Sequence, residues 1–394
     1  MKTAIVYDRV NKWGGAERVL LTLHELFPRA PLYTSVYNKK GAAWAEVFPQ
    51  IIPSFLQRIP LINSKHECLA PLMPLAFESL DLSGFDLVIS VTSESAKGII
   101  TKPGTLHVCY CLTPTRYLWS HHEEYFKGNF FKFLSKPVVC YLRRWDKIIS
   151  QRPDIYIAIS TQVKKRIEKY YKKDSQIIFP PVDIQRFNIT KKMSYSQSSR
   201  SSKKELCSNT SGYSFSEADT VPVSGYGKYY LIVSRLVPYK KIDLAVDVFN
   251  DLGLPLIVVG TGSEEVKLRK KARENIKFTG FVNDEELPAY YKDAKAFIYP
   301  QEEDFGITAV EAQAAGIPVI AYKAGGVLDT VIEGVTGYFF EKQNKKSLTQ
   351  AVKKFDESVH PSVNKEGCIK NAHRFSKEIF KKNFLYLIEK QKIS

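Results

Sequence analysis

The sequence contains no long hydrophobic run. No stretch approaches the roughly 18 consecutive apolar residues that a membrane-spanning helix needs. The amino terminus, Met1-Lys2-Thr3-Ala4-Ile5-Val6-Tyr7-Asp8-Arg9, reaches charged residues too early to hold the apolar core of a signal peptide. We therefore expect a cytoplasmic protein, and any contact with a membrane would be peripheral, on the inner face of the plasma membrane.

Cysteine is scarce, with six residues in 394, and no two of them form a Cys-x-x-Cys pair. Their spacing excludes a disulfide scaffold and a structural zinc site, so we interpret them as small buried residues in a reducing compartment. His121 and His122 are adjacent, but no third ligand follows at a suitable spacing. The sequence therefore predicts no metal site.

Acidic residues are too few to balance the basic ones. The chain has 41 Asp and Glu against 57 Lys and Arg, a formal net charge of +16. This excess suggests an anionic partner, which could be nucleic acid, a phosphorylated ligand or an anionic membrane surface. Because no nucleic-acid recognition motif is present, we expect no nucleic-acid partner.

Part of the positive charge is concentrated between Lys127 and Lys173. This stretch has 13 Lys and Arg against three acids, a local excess of ten. Aromatic residues are interleaved with the charges: Phe126, Phe130, Phe131, Phe133, Tyr141 and Trp145. Such a pattern is typical of peripheral contact with an anionic membrane. The alternative is that the aromatic side chains belong to the core and the lysines cover solvated helices.

The length of 394 residues and the hydrophobic fraction of 44% predict two domains, each with its own core. Short apolar runs alternate with segments of helical period, the pattern of parallel sheets covered by helices on both faces. The predicted strands are Thr3–Tyr7, Phe85–Ile89, His107–Tyr110, Ile155–Ile159, Gln176–Phe179, Tyr229–Val233, Leu256–Val259, Ile276–Phe278, Ala296–Tyr299, Val319–Ala321 and Tyr338–Phe340. We therefore predict an α/β protein of two doubly wound domains, with ligands at the carboxyl ends of the strands.

The predicted boundaries divide the chain into four segments. Residues 1–183 form an N-terminal domain, 229–375 a C-terminal domain, and 376–394 a helix that packs back toward the N-terminal domain. Residues 184–228 hold the hinge region and an insertion. Within them, residues 189–227 carry 11 serines in 39 positions and few aliphatic residues, so we expect a flexible insertion.

The most informative motif follows the predicted strand Ala296–Tyr299 and reads Glu303-Asp304-Phe305-Gly306-Ile307-Thr308-Ala309-Val310-Glu311. A carboxylate leaves the strand end, glycine lets the backbone approach a ligand closely, and a helix begins with its amide dipole directed at that ligand. Glu311 lies about two turns along a helix of small, apparently buried residues, where an unpaired carboxylate would be costly. We infer a ligand site that includes both glutamates.

With this motif the chain resembles the family 4 retaining glycosyltransferases of the GT-B fold, a group with many bacterial mannosyl- and glucosyltransferases. Glu303 and Glu311 match the Glu-x7-Glu motif of that family. The resemblance implies that Glu303 binds hydroxyls of the donor sugar and that Glu311 binds the nucleotide ribose. It also implies two Rossmann-like domains facing across a cleft, with the donor on the C-terminal domain and the acceptor on the N-terminal domain.

Arg235 and Lys240 match the family pair that clamps the donor pyrophosphate. Two cations after a strand end can neutralise phosphates and stabilise a departing nucleoside diphosphate. The resemblance thus assigns Glu303, Arg235 and Lys240 to catalysis. It assigns the following residues to donor binding: Gly14, Gly15, Gly260, Gly262, Phe305, Gly306, Ile307 and Glu311. The loop Ala324-Gly325-Gly326 also resembles a family loop near the donor, with an ordinary turn as the alternative.

The N-terminal half contains His107-Val108-Cys109-Tyr110-Cys111-Leu112-Thr113-Pro114-Thr115-Arg116-Tyr117-Leu118-Trp119. Its Thr-Pro-x-Arg-Tyr core resembles a subgroup that includes O-antigen mannosyltransferases. Arg116 and Trp119 are candidates for the acceptor side, with a core position as the alternative for Trp119. Leu112 departs from the pattern, because many relatives have a histidine there that contacts the donor sugar. His107 lies at the other end of the predicted strand, and we interpret it as structural.

The sequence also lacks Asp-x-Asp, the motif with which the other major nucleotide-sugar transferase fold holds a divalent metal. We therefore expect an enzyme without metal or cofactor, in which Arg235, Lys240 and helix dipoles replace the metal. The expected reaction moves a hexose, mannose or glucose, from a donor such as GDP-mannose or UDP-glucose to a saccharide or lipid-linked saccharide in cell-surface polysaccharide synthesis. The alternatives are a non-catalytic nucleotide-sugar-binding subunit and a GT-B-fold nucleotide-sugar epimerase.

Overall fold

The computed structural model describes residues 1–59, 70–119, 129–187, 227–357 and 363–393. The chain divides into two compact units. The N-terminal unit comprises Met1–Pro181 and Lys377–Ser394, and the C-terminal unit comprises Val182–Ser376. Apart from Gly227, the predicted insertion at 189–227 lies outside the described residues, so its flexibility stays a prediction.

The N-terminal unit is built on one parallel sheet. Its strands are β1 (Thr3–Tyr7), β2 (Leu32–Thr34), β3 (Ile51–Pro53), β4 (Leu87–Thr92), β5 (Leu106–Cys111), β6 (Ile155–Ala158) and β7 (Gln176–Ile177). Their order in the sheet is β3-β2-β1-β4-β5-β6-β7. Every residue of β1 and β4 is buried, as expected for central strands that are covered on both faces.

The C-terminal unit is built on a second parallel sheet. Its strands are β8 (Tyr229–Val233), β9 (Leu256–Val259), β10 (Ile276–Gly280), β11 (Ala294–Tyr299), β12 (Val319–Tyr322) and β13 (Gly337–Phe340). Their order is β10-β9-β8-β11-β12-β13. The two parallel sheets, each interleaved with helices, confirm the predicted fold class of two doubly wound α/β domains.

Helices separate most of the strands in both units. In chain order they are α1 (Gly15–Leu26), α2 (Met73–Glu78), α3 (Arg116–Trp119), α4 (Asn129–Ile149), α5 (Thr161–Tyr171), α6 (Ile242–Leu252), α7 (Glu265–Lys271), α8 (Leu287–Lys292), α9 (Ile307–Ala314), α10 (Val327–Thr330), α11 (Lys345–Glu357), α12 (Lys365–Ala372) and α13 (Lys377–Ile393). Within the described ranges, none of them is both long enough and apolar enough to cross a membrane.

The last helix, α13, packs against the N-terminal unit. Its Phe384 ring lies 6.3 Å from that of Phe27, and its Phe380 ring lies 5.7 Å from that of Tyr110, both measured between centroids. Lys377 and Lys381 both pair with Glu25 of α1, at 3.8 Å and 2.5 Å. Aromatic packing and two ion pairs therefore hold α13 against β5 and α1.

Each sheet has one point at which the direction of strand succession reverses. In the N-terminal unit this point lies between β1 and β4, and in the C-terminal unit it lies between β8 and β11. The loops at the carboxyl ends of these strand pairs diverge to opposite faces, which leaves a crevice where open α/β sheets bind ligands. These two crevices are where functional residues are expected.

Candidate functional site

Four neighbouring strands end at the same edge of the C-terminal unit. Because β9, β8, β11 and β12 are consecutive in a parallel sheet, the loops that follow them are adjacent. These loops carry Gly260, Arg235, Glu303 and Gly325, respectively. The fold thus brings together donor-side candidates from four separate parts of the sequence.

Lys240 and Glu303 form an ion pair at this edge. Lys240 ends a short 3₁₀ helix that follows β8, and Glu303 lies in the loop that follows β11. The Lys240 side chain is 10% exposed and the Glu303 side chain 24% exposed. Attraction between charges is stronger where little water surrounds them. The two groups therefore form one charged centre, which we call the Lys240–Glu303 pair.

Arg235 adds a second cation next to this pair. Its guanidinium donates a hydrogen bond from Nη2 to the hydroxyl of Tyr239. The Arg235 Cζ atom lies 6.0 Å and the Lys240 Nζ atom 5.3 Å from the centroid of the Tyr239 ring. Cation–π attraction to one ring therefore offsets part of the repulsion between the two cations. Such an arrangement suits a ligand with adjacent negative charges, such as a diphosphate.

The loop after Glu303 reaches a helix through a backbone conformation that favours glycine. Gly306 has a φ of 92°, and a Cβ atom at this position would lie 2.9 Å from the hydroxyl oxygen of Tyr299. Phe305 is buried, and its ring lies 5.6 Å from that of Phe375. Gly306 and the anchored Phe305 therefore determine where α9 begins, at Ile307, and where its first free backbone amides lie.

Glu311 lies on α9 and is 1% exposed. The hydroxyl of Tyr291, on α8, donates a hydrogen bond to Glu311 Oε2 at 3.4 Å. The Nη2 atom of Arg186 lies 3.7 Å from Glu311 Oε1. Sequence analysis found Glu311 but missed Arg186, because no local motif marks an arginine in a four-residue 3₁₀ helix far away in the chain.

The glycines after β9 allow close packing against the loop that carries Arg235. A Cβ atom at Gly260 would lie 2.0 Å from the carbonyl oxygen of Ser234, and one at Gly262 would lie 2.3 Å from that of Leu236. Gly260 also has a φ of 128°. Larger residues would therefore displace the Arg235 loop, which gives these glycines a definite structural role next to the charged centre.

The glycines after β12 pack in the same way against the loop that carries Glu303. A Cβ atom at Gly325 would lie 2.3 Å from the carbonyl oxygen of Glu303, and Gly325 has a φ of 80°. The amide of Gly326 donates a hydrogen bond to that carbonyl oxygen at 2.7 Å. The loop Ala324-Gly325-Gly326 therefore supports the backbone of Glu303 directly.

Gly14 and Gly15 lie at the start of α1, next to a buried carboxylate. Glu17 is 2% exposed and accepts a hydrogen bond from the Tyr7 hydroxyl at 2.9 Å. A Cβ atom at Gly14 would lie 3.0 Å from Glu17 Oε2. Burial raises the pKa of Glu17 above its usual range. Sequence analysis singled out the glycines and missed Glu17, because glutamates near helix starts are usually solvated.

Asp8 organises the crevice between β1 and β4. Its carboxylate is 6% exposed and accepts hydrogen bonds from the Thr92 hydroxyl at 2.8 Å and from the backbone amides of residues 93–96 at 2.7 to 3.0 Å. These bonds hold the loop after β4 in one conformation. Sequence analysis also missed Asp8, although a carboxylate directly after the first strand was a visible signal.

The acceptor-side candidates Arg116 and Trp119 both lie on α3, in the N-terminal unit. The Trp119 indole Nε1 donates a hydrogen bond to Asp146 at 2.7 Å, and its ring stacks on Tyr170 at 5.2 Å. Asp146 is also paired with Lys97 at 2.6 Å, and both of these side chains are 1% exposed. Trp119 is therefore attached to a buried ion pair, and Arg116 is half-buried on the same short helix.

His107 lies in β5, and Leu112 follows that strand. His107, 1% exposed, lies within hydrogen-bond distance of Ser90 Oγ at 2.8 Å, and burial lowers the pKa of His107 to about 3. Its ring is therefore neutral. Leu112 follows the end of β5 and is half-buried. His121 and His122 lie outside the described residues, and in the described part of the chain no three His, Cys, Asp or Glu could hold a metal ion.

Parts of the chain are similar in sequence to known proteins. Residues 221–375 match the family described as "Glycosyl transferases group 1". The GDP-mannose-dependent alpha-mannosyltransferase of Corynebacterium glutamicum is 33% identical over 143 residues, 36% of this chain and 34% of that protein. An uncharacterized glycosyltransferase of Methanocaldococcus jannaschii is 24% identical over 245 residues, 61% of this chain and 58% of that protein. The chain thus spans 34% and 58% of the lengths of these two relatives.

Solved structures are similar in fold over almost the whole chain. Sucrose-phosphate synthase from Thermosynechococcus elongatus has a TM-score of 0.70 at 17% identity, over 100% of each chain. Anabaena HepE in complex with UDP has a TM-score of 0.67 at 16% identity, over 99% of this chain and 100% of that one. These similarities confirm the GT-B fold predicted from the sequence.

Proposed function

We propose that the protein is a retaining hexosyltransferase, because residues 221–375 match the family described as "Glycosyl transferases group 1". It moves mannose or glucose from a nucleoside-diphosphate sugar to a saccharide or lipid-linked saccharide acceptor in the synthesis of cell-surface polysaccharide. The observation that carries this proposal is the Lys240–Glu303 pair with Arg235 beside it, at the strand ends of a doubly wound sheet. Turnover of a nucleotide-sugar by the purified protein tests it.

In this proposal the donor binds to the C-terminal unit. Arg235 and Lys240 contact the pyrophosphate, Glu303 accepts hydrogen bonds from the sugar hydroxyls, and Glu311 accepts hydrogen bonds from the ribose. The glycine loops that pack against Arg235 and Glu303 hold these residues in place. GDP-mannose is the first donor to test, because a relative from Corynebacterium glutamicum is named for it.

The proposed transfer breaks one bond and forms one. The acceptor hydroxyl oxygen bonds to the anomeric carbon on the face from which the diphosphate leaves. The electrons of the broken bond between that carbon and the phosphate oxygen leave with the diphosphate, which also takes up the acceptor proton. Arg235 and Lys240 stabilise the charge that develops on the leaving group, and the product keeps the anomeric configuration of the donor. Arg116 and Trp119 of the N-terminal unit are the proposed acceptor contacts.

The proposed reaction needs no divalent metal. Arg235 and Lys240 supply the positive charge that a metal ion would bring to the diphosphate. Excess EDTA should therefore leave the initial rate of donor turnover unchanged within about twofold, because no metal ion stabilises the leaving diphosphate in this proposal. A rate that collapses with EDTA and returns with added magnesium or manganese would contradict this part of the proposal.

We also propose that the N-terminal unit contacts anionic membrane through one face of α4. This face exposes Tyr141 by 51% and Ile148 by 59%, with the exposed basic residues Lys136, Arg144 and Lys147 around them. Exposed apolar side chains between basic ones favour the surface of an anionic bilayer. The predicted patch also includes Phe126, Lys127, Phe130, Phe131 and Phe133, whose side chains lie outside the described part of the structure.

Vesicle sedimentation tests the membrane contact. The protein should sediment with vesicles that contain anionic lipid, and less so at high salt. Neutralising Lys136, Arg144 and Lys147 together should weaken binding by at least about tenfold, since each basic residue near such a surface contributes about 1 kcal/mol. Neutralising Lys346, Lys353 and Lys370, which are exposed in the C-terminal unit, is the matched control. Equal binding of the two triple variants would rule out the proposed face.

A further inference from the structure

Arg186 belongs to none of the motifs above, yet it connects two parts of the C-terminal unit. It lies in the 3₁₀ helix Ile184–Phe187. Its Nη1 atom lies 2.9 Å from Asp284 Oδ2, and its Nη2 atom lies 3.7 Å from Glu311 Oε1. One guanidinium therefore spans the loop after β10 and the helix α9.

Glu311 is a carboxylate that needs such a partner. It is 1% exposed, and a carboxylate removed from water is stable only with compensating charge and hydrogen bonds. The Tyr291 hydroxyl donates one hydrogen bond to Oε2, and Arg186 places positive charge next to Oε1. Both oxygens thus have a polar partner, and the two partners together define the orientation of the carboxylate.

Aromatic packing holds Arg186 in this position. Its Cζ atom lies 4.8 Å from the centroid of the Phe187 ring, and the Phe187 ring meets the Tyr291 ring edge-on at 5.2 Å. The tyrosine that donates to Glu311 therefore also supports the residue on which Arg186 rests. This arrangement couples the orientation of Arg186 to that of Glu311.

The Asp284 contact uses only one end of the guanidinium. Asp284 is 47% exposed, and it meets Nη1. Within the described ranges, the Nε and Nη2 atoms of Arg186 have no hydrogen-bond partner. The Nη2 atom instead faces Glu311 Oε1 at 3.7 Å, so the positive charge of the guanidinium lies next to that carboxylate oxygen.

We propose that Arg186 is a positioning residue for ribose recognition. It holds the Glu311 carboxylate in the orientation in which both oxygens can accept hydrogen bonds from the ribose hydroxyls of the donor nucleotide. This inference rests on the proposed function of the C-terminal unit. It predicts that loss of Arg186 weakens the ribose contact and spares the pyrophosphate contact made by Arg235 and Lys240.

The test compares nucleotides with and without ribose hydroxyls. Calorimetry identifies which of GDP and UDP binds the wild-type protein more tightly, and that nucleotide is compared with its 2′,3′-dideoxy analogue. The wild-type protein should prefer the ribose form by at least about tenfold, because hydrogen bonds to a charged group are the strong ones. R186Q should reduce this preference to about threefold or less and change the affinity for the dideoxy nucleotide by less than about twofold.

Two further variants identify the route by which Arg186 acts. R186K should retain an intermediate preference, because lysine restores the charge without the planar fork. The double variant R186Q/E311Q should have the same preference for the ribose nucleotide as E311Q alone. Once Glu311 is neutral, Arg186 has no carboxylate left to orient, so its loss should have no further effect. R269Q is the matched control, because Arg269 also pairs with a glutamate, Glu265 at 2.9 Å, and rests on a ring, Phe278 at 5.2 Å.

The outcomes separate this inference from the function on which it rests. A wild-type protein that binds neither GDP nor UDP overturns the proposed function, and the inference with it. If the wild-type protein prefers ribose and R186Q keeps that preference, the inference alone is wrong. The same holds if R186Q weakens both nucleotides equally, which would indicate a structural role. Should R186Q not fold, R186K decides: an unchanged preference overturns the inference.

Discussion

Replacing Glu303 with alanine should reduce sugar transfer by at least about a thousandfold, since the two charge-assisted hydrogen bonds proposed between Glu303 and the sugar would contribute about 4 kcal/mol or more. The substitution removes the carboxylate of the Lys240–Glu303 pair and leaves both cations in place. The affinity for the free nucleoside diphosphate should therefore persist, and the nucleotide-sugar should bind no more tightly than the diphosphate. Steady-state rates and calorimetry on one preparation measure both effects.

The control for this substitution is Glu341→Ala. Glu341 forms an ion pair with Lys323 at 2.6 Å, so the variant loses the same charge from an exposed pair in the same unit. Exposed pairs contribute about 0 to 1 kcal/mol to stability, and transfer by this variant should be near that of the wild type. Near-normal transfer by the Glu303 variant, with the circular dichroism spectrum of the wild type, would show that Glu303 does not bind the sugar.

Replacing Lys240 with alanine should lower turnover by about a hundredfold or more, since removing one preorganised donor to developing charge costs about 2.7 to 4 kcal/mol. Unlike the Glu303 variant, this variant should also bind the free nucleoside diphosphate more weakly, because the ammonium that it loses is the proposed contact to the pyrophosphate. Turnover and diphosphate affinity together therefore distinguish the two members of the pair.

Lys323→Ala is the control for the lysine, since it removes the partner of Glu341 from the exposed pair. Its turnover and diphosphate affinity should equal those of the wild-type protein. If Lys240→Ala retains the wild-type affinity for the diphosphate, Lys240 does not contact the pyrophosphate. Arg235, which is held beside it by Tyr239, would then be the main cation of the site.

The fold could be predicted where strands are apolar on both faces. The strands β8 and β9 were predicted with their exact bounds. Each is an uninterrupted run of apolar residues, five in β8 and four in β9, so the position of the strand is clear from the sequence. Sequence analysis missed β2 and β3, which have three residues each. Such short strands form because a neighbouring strand offers hydrogen bonds, and no local pattern marks them.

The site was predictable only where one segment carries several of its residues. Glu303 and Glu311 stand in one motif, and Arg235 and Lys240 in another, so a resemblance could assign them roles. Lys240 and Glu303 pair because β8 and β11 are neighbours in the sheet, and no local sequence pattern shows which strands are neighbours. Arg186 could not be predicted, because its role follows from contacts with two elements that are distant in the sequence.

The most direct test of the proposed function is the turnover of donors by the purified wild-type protein. GDP-mannose and UDP-glucose are incubated separately with the protein, and the nucleoside diphosphate released is measured against the donor consumed, with water as the acceptor when no saccharide is added. The account predicts that one donor is consumed catalytically, with one diphosphate released per donor lost. If the folded protein neither consumes nor binds either donor, the assignment of the C-terminal unit as a nucleotide-sugar site is wrong.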